Sequence, residues 1–289
     1  MRKQSRFIDE LRKGWWHHDV RPAVSRAAYA AIAHAVGDTW APGDIERALG
    51  KASNRDMKSE GLSNKFRKIW KDQTVPSLPT LSEVTRAFPA CQAEYWSEHP
   101  IFFLLDGRQK ESESFAQSAI HYALDSLNGS IRMEVWKQEI DYEPWTGRLL
   151  KSLDNRAMLD VLGSDLFAEL DTLDRLTLST AFSKMALATE DWPAYDQAVW
   201  VSYLEFDTAL VNYNPLLIGW KWLAKLYEEQ LWRPHNTLCR GAVPVSGHSR
   251  ANLAHFMSIA KKSGRNLPPP EMFDWAELIG TTPSVMDTP

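Results

Sequence analysis

The sequence predicts an all-α protein, with a basic helical region over residues 1–106 and a larger, mainly helical region over 115–289. Three observations predict it. Apolar residues recur at spacings of three and four over 115–127, 155–170, 173–188 and 193–212, the period of an amphipathic helix. Helix punctuation stands in the expected places, with Pro near starts and Gly past ends. Strand-like alternation is confined to 131–142, where Ile131, Met133 and Val135 alternate with polar residues until Trp136 and Lys137 break the pattern.

Taken in order, residues 22–36 form a helix, with Pro22 at its start, Gly37 just past its end, and Tyr29, Ile32, Val36 and the alanines as a small-residue packing face. Asp44–Leu49 is a short helix after Pro42-Gly43. Residues 63–72 and 80–88 are two more, the second opened by a cap at either Ser77 or Thr80, the latter forming a capping box with Glu83. The apolar run from Pro100 ends at Asp106-Gly107, a turn signal. The polar stretch 107–114 divides the two regions.

Beyond it, Asn214-Pro215 opens a helix with Asn as cap and Pro at the first position. That helix carries Leu216, Leu217, Trp220, Ala224, Tyr227 and Leu231 on one stripe, a core face. Residues 241–247 are a loop or a very short strand, 249–262 a basic helix, and the Thr/Pro-rich end after Gly280 a tail.

Apolar residues are 44% of the 289 and charged residues 24%, which excludes a disordered or collagen-like chain. Two cysteines make no disulfide framework and suit a reducing compartment. No apolar run follows the basic start, as a signal peptide requires. The longest unbroken one, Ala27–Ala33, has seven residues, far below the roughly 20 of a membrane span. A cytoplasmic protein without membrane contact is expected.

The net charge of −4 is unevenly spread. Residues 1–87 hold 16 Lys/Arg against 10 Asp/Glu, and 221–265 hold 8 against 2. Between them, 140–210 hold 5 against 13. Basic regions attract phosphate.

One segment carries chemistry. Phe66, Ile69 and Trp70 sit at i, i+3 and i+4 of the 63–72 helix, one apolar face. Asn64, Arg67, Lys68 and Lys71 sit at i, i+3, i+4 and i+7, the opposite face, with Lys65 beside them. Arg and Lys bond guanine, Asn bonds adenine, and surplus cations meet phosphate. The same segment, residues 61–88, resembles part of a lambda-repressor-like helix-turn-helix domain. In that family a recognition helix ends in a turn, and a Pro-Ser-type cap opens the next helix with Thr-Leu and an apolar residue three positions on. Ser63–Asp72, Val75-Pro76-Ser77, and Thr80-Leu81 with Val84 match those parts. The resemblance implies double-stranded DNA as partner and a recognition role for the 63–72 helix.

Other chemistry is sparse. No Gly-x-Gly-x-x-Gly, Gly-Lys-Ser/Thr, Gly-x-Ser-x-Gly or His-Glu-x-x-His is present. The acidic middle, from Asp141 and Glu143 through Asp154, Asp160, Asp165, Glu169, Asp171 and Asp174, has no spacing that makes carboxylates converge on a metal. His235, Cys239, His248 and His255 contain one tight pair, His235-x3-Cys239, where structural zinc normally has two. A Cys91–His99 nucleophile pair has no local signature. No cofactor, no metal and no catalytic residue is therefore expected. The sequence reads as a non-enzymatic DNA-binding protein, a regulator or a nucleic-acid-handling subunit of a bacterial assembly. The alternative is a helical subunit that docks a protein partner without touching nucleic acid.

Overall fold

A computed structural model describes residues 16–54, 63–71, 73–127 and 155–239, with Val243, Ser258 and Lys262. These residues are helical nearly throughout, with no strand among them. The strand-like alternation at 131–142 and most of the 249–262 helix lie outside them. No described helix is long and apolar enough to cross a membrane.

The chain forms two compact units. One comprises Met1–Ala23, Glu98–Asn212 and Trp220–Val245, the other Val24–Ser97, Tyr213–Gly219 and Ser246–Pro289. The polar stretch 107–114 thus lies inside the first unit.

The second unit is built on α1, Arg21–Ala35, of which it holds the part from Val24 onward. Its residues Ala27, Ala28, Tyr29, Ala30, Ala31, Ile32 and Ala33 are all buried, so neighbours press on nearly its whole circumference. Alanine permits that close approach at the best helix propensity. Around it lie α2 (Pro42–Ala52), α3 (Lys65–Lys71), α4 (Leu78–Ala87), α5 (Ala93–Ser97) and α12 (Asn214–Ile218). Tyr29 donates its hydroxyl to the Trp40 carbonyl, and Trp96 meets Tyr213 edge-on at 5.9 Å. The cap of α4 is settled as Ser77, whose Oγ accepts from Thr80 N–H at 3.5 Å.

In the first unit, His99 caps α6 (Pro100–Leu104) by accepting the Ile101 N–H on Nδ1. Asp106 caps the 3-10 turn Gly107–Lys110, and Ser112 caps α7 (Glu113–Ser126). The periodic run 155–170 is two helices, α8 (Asn155–Leu162) and α9 (Asp165–Glu169). Gly163 breaks it and Ser164 caps anew. A helical hairpin follows, α10 (Thr172–Ala188) and α11 (Trp192–Asn212), turning at Thr189–Asp191. Arg175 reaches Glu205 at 2.9 Å, and Asn212 reaches Thr172 at 3.0 Å, near the hairpin's open end.

The buried hydroxyls of α10 look out of place in a core. Each is satisfied along its own helix: Thr177 bonds the Leu173 carbonyl at 2.7 Å, Ser179 the Arg175 carbonyl at 2.8 Å, and Ser183 the Ser179 carbonyl at 2.8 Å. Thr180 bonds the Leu176 carbonyl and also the Tyr227 hydroxyl at 2.6 Å. The hydrophobic core runs through Phe103, Ile120, Leu124, Leu162, Phe167, Phe182 and Met185.

The stripe expected from Asn214 to Leu231 is not one helix. It is α12, a break at Gly219, α13 (Trp220–Tyr227), a π-type turn at Glu228–Trp232, and α14 (Arg233–Leu238). Tyr213, not Asn214, takes the cap position of α12. Pro234 accounts for the π-type turn. It has no N–H for the Gln230 carbonyl, and its ring crowds that oxygen, so the ladder widens.

Candidate nucleic-acid interface

α3 has seven residues and owes its place to its apolar side. Phe66, Ile69 and Trp70 are buried, as the spacing predicts. Trp70 stacks at 4.8 Å on Tyr29 and lies under the Arg26 guanidinium at 3.6 Å. Burial lowers Arg26 to about 10. Ser25 donates to the Ile69 carbonyl at 2.7 Å and to the Thr74 carbonyl at 3.3 Å, satisfying acceptors at the helix end. Gln73 closes the segment with φ +53, the left-handed region.

The polar side divides. Arg67, Lys68 and Lys71 are exposed. Among the described residues none of the three takes part in an ion pair. Lys65 is half-buried and pairs with Glu83, tying α3 to α4. Asn64 is exposed but precedes the helix, which starts at Lys65 rather than 63. Its φ is +59, and its carbonyl accepts the Lys68 N–H at 3.0 Å, so it is the cap. Asn is among the few non-Gly residues that take this backbone readily. Ser63 donates to Glu46 at 3.1 Å and fixes the approach to the helix.

Several of the described acids of the middle region serve helix N-termini. Asp171 caps α10, accepting from Leu173 and Asp174 N–H at 2.9 Å each, and Asp165 lies in the first turn of α9. Asp141, Glu143 and Asp154 lie outside the described residues. Cys91 is buried, bonds the Ala31 carbonyl at 3.8 Å, and has its thiol pushed up by burial. That is the opposite of what a nucleophilic thiolate needs.

Sequence reasoning saw only part of one cluster. Asp196, in the first turns of α11, faces His235 and Cys239 at the end of α14, and their ligand atoms lie within 4.8 Å of one another. His235 and Cys239 share a face at i, i+4, but Asp196 is 39 positions away. His17, His18 and Asp19 also converge, as three consecutive residues of a surface turn. No protein-family model, curated protein or solved structure matches the chain.

Proposed function

We propose that this chain is a non-enzymatic cytoplasmic protein that binds double-stranded DNA through the exposed face of α3. Arg67, Lys68 and Lys71 meet phosphates or base edges there. Asn64 and Lys65 flank them at the helix start. The observation that carries the reading is the sidedness of α3. Its aromatic side is committed to α1, while three cations without acidic partners among the described residues project to solvent. Side chains of this kind both neutralise phosphate and bond guanine. The resemblance of 61–88 to a helix-turn-helix domain supports the same reading.

Duplex binding measured against salt tests it. Arg67→Ala, Lys68→Ala and Lys71→Ala combined should weaken binding and lower the log–log salt slope by roughly 2.7, for three lost phosphate contacts. The melting temperature should stay near wild type, because all three side chains lie off the buried face. Unchanged affinity and slope in the folded variant would refute the assignment.

A further inference from the structure

We propose that Asp196, His235 and Cys239 form a metal-binding site of zinc type, with three protein ligands and a solvent-facing fourth position. The donor set is one carboxylate oxygen, one imidazole nitrogen and one sulfur. That mixture suits Zn2+ and does not suit Mg2+ or Ca2+, which take oxygen.

The argument rests on how His235 is held. Its ring is fully buried. Nδ1 lies 3.2 Å from Asn236 Oδ1, and Nε2 lies 2.6 Å from Asp196 Oδ1. The Asn236 amide is oriented by the backbone of Val243: its Nδ2 donates to the Val243 carbonyl at 2.8 Å, and its Oδ1 accepts the Val243 N–H at 2.9 Å. The atom facing Nδ1 is therefore an acceptor, and Nδ1 carries the proton. Fixing the outer nitrogen in this way leaves Nε2 as the metal-facing donor, as in ligating histidines whose other ring N–H is held by a fixed acceptor.

Nε2 then points at a carboxylate oxygen, with the Cys239 sulfur close by. A metal ion placed between these three atoms engages all of them at once. The Cys239 thiol, which donates toward the Trp192 carbonyl at 3.8 Å, is released from that contact when it ligates. Tyr195 and Trp200 lie against the ring, with centroids 5.9 and 6.4 Å away, and form an apolar wall. Asp196 is half-exposed, so its side chain is free to swing back and admit an ion. The fourth position then opens to water. On binding, a Cys239 S–metal bond forms as the thiol proton leaves to solvent, while His235 gives its Nε2 lone pair and Asp196 a carboxylate oxygen.

The full chain, stripped with chelator and titrated with Co2+ alone, tests this. One equivalent should produce a thiolate-to-cobalt charge-transfer band in the near ultraviolet and four-coordinate ligand-field bands in the visible. Cys239→Ser should abolish the charge-transfer band, and Cys91→Ser should retain it. Asn236→Ala should weaken cobalt binding about 10- to 100-fold. Zn2+ at about a hundred times its Kd should raise the wild-type melting temperature by roughly 5–10 °C. No charge-transfer band in wild type, or a band that survives in Cys239→Ser, overturns the proposal and leaves His235 and Asp196 as a hydrogen-bonded pair. If Cys239→Ser does not fold, Asp196→Asn, changed at a half-exposed side chain, decides: unchanged cobalt affinity overturns the site.

Discussion

Asp106 is fully buried, yet each of its carboxylate oxygens is hydrogen-bonded. It accepts the Arg108 backbone N–H at 2.9 Å and the Arg108 guanidinium through both oxygens, at 2.9 and 2.8 Å. The His17 N–H adds a longer bond at 3.3 Å. Arg108 in turn covers the Phe115 ring at 4.2 Å. Burying such a pair is not itself strong stabilisation, but removing one partner strands the other charge. Asp106→Ala should therefore cost about 3–5 kcal/mol in urea unfolding. A cost below about 1 kcal/mol would show that water reaches Arg108 freely. Gly107, next door, has no room for a side chain, because a Cβ would press into the His17 ring. Histidines set the acid limit at the same scale. Burial pushes His99 down to about 3 and lowers His121 as well. The folded state keeps both neutral, while the unfolded chain takes up protons below about 6.5. Stability is therefore fully present above pH 6.5 and falls as the pH drops from there toward 3. Asp174, raised to about 6 by burial and by Asp171, acts in the opposite sense between pH 3.8 and 6, as one group against two. His99→Asn keeps an acceptor at the cap of α6 and removes a titrating ring. Its stability should fall less steeply than wild type between pH 6.5 and 4, and an unchanged slope would take His99 out of the account.

At the scale of elements, α3 shows how a seven-residue helix is held. So short a helix is marginal alone, and its order comes from Phe66, Ile69 and Trp70. Trp70→Ala should cost about 3–5 kcal/mol, as large aromatic truncations in cores do. A protein that melts like wild type after that change would mean the Trp70 contacts with Tyr29 and Arg26 stabilise nothing. The two faces of α3 were legible in the sequence because they depend only on local spacing. So were most helix spans, for the same reason. The breaks were not: at Gly163 and Gly219 the apolar stripe runs on across the interruption, and periodicity alone cannot see a helix that stops and restarts in register. The π-type turn was likewise hidden, although Pro234 was the available signal. The Asp196–His235–Cys239 cluster was half legible. The His235-x3-Cys239 pair shows in the chain, but Asp196 joins it only through the packing of α11 against α14. The pairing of Lys65 with Glu83 depends in the same way on the placement of α4.

For the whole molecule, the net charge of −4 means that the protein's mean field repels a polyanion. Any duplex binding is then local, drawn from a basic region strong enough to act within a Debye length of about 8–10 Å. The chain has two such regions, 1–87 and 221–265, with an excess of six cations each. Both offer described cations on a helix anchored by buried aromatics, α3 in the first and, in the second, α13, where Lys221 and Lys225 are exposed on a helix that buries Trp220 and Tyr227 and Lys225 pairs with Glu229 at 3.8 Å. In the second, Lys261 and Lys262 close the basic helix expected over 249–262, where cations complement the helix dipole for structural reasons worth about 0.3–1 kcal/mol. Lys262 is exposed and helical; Lys261 and Arg265 lie outside the described residues. Reversing Lys261, Lys262 and Arg265 to Glu should therefore lower the melting temperature by a few degrees. Duplex affinity should stay within about fivefold of wild type, because repulsion from charges outside the contact is screened. The two effects separate cleanly, since one is read by thermal melting without DNA and the other by titration at fixed salt. A fall in affinity of tenfold or more, with the melting temperature moved only slightly, would make three cations of the second region phosphate contacts. The second basic region would then contribute to binding together with α3.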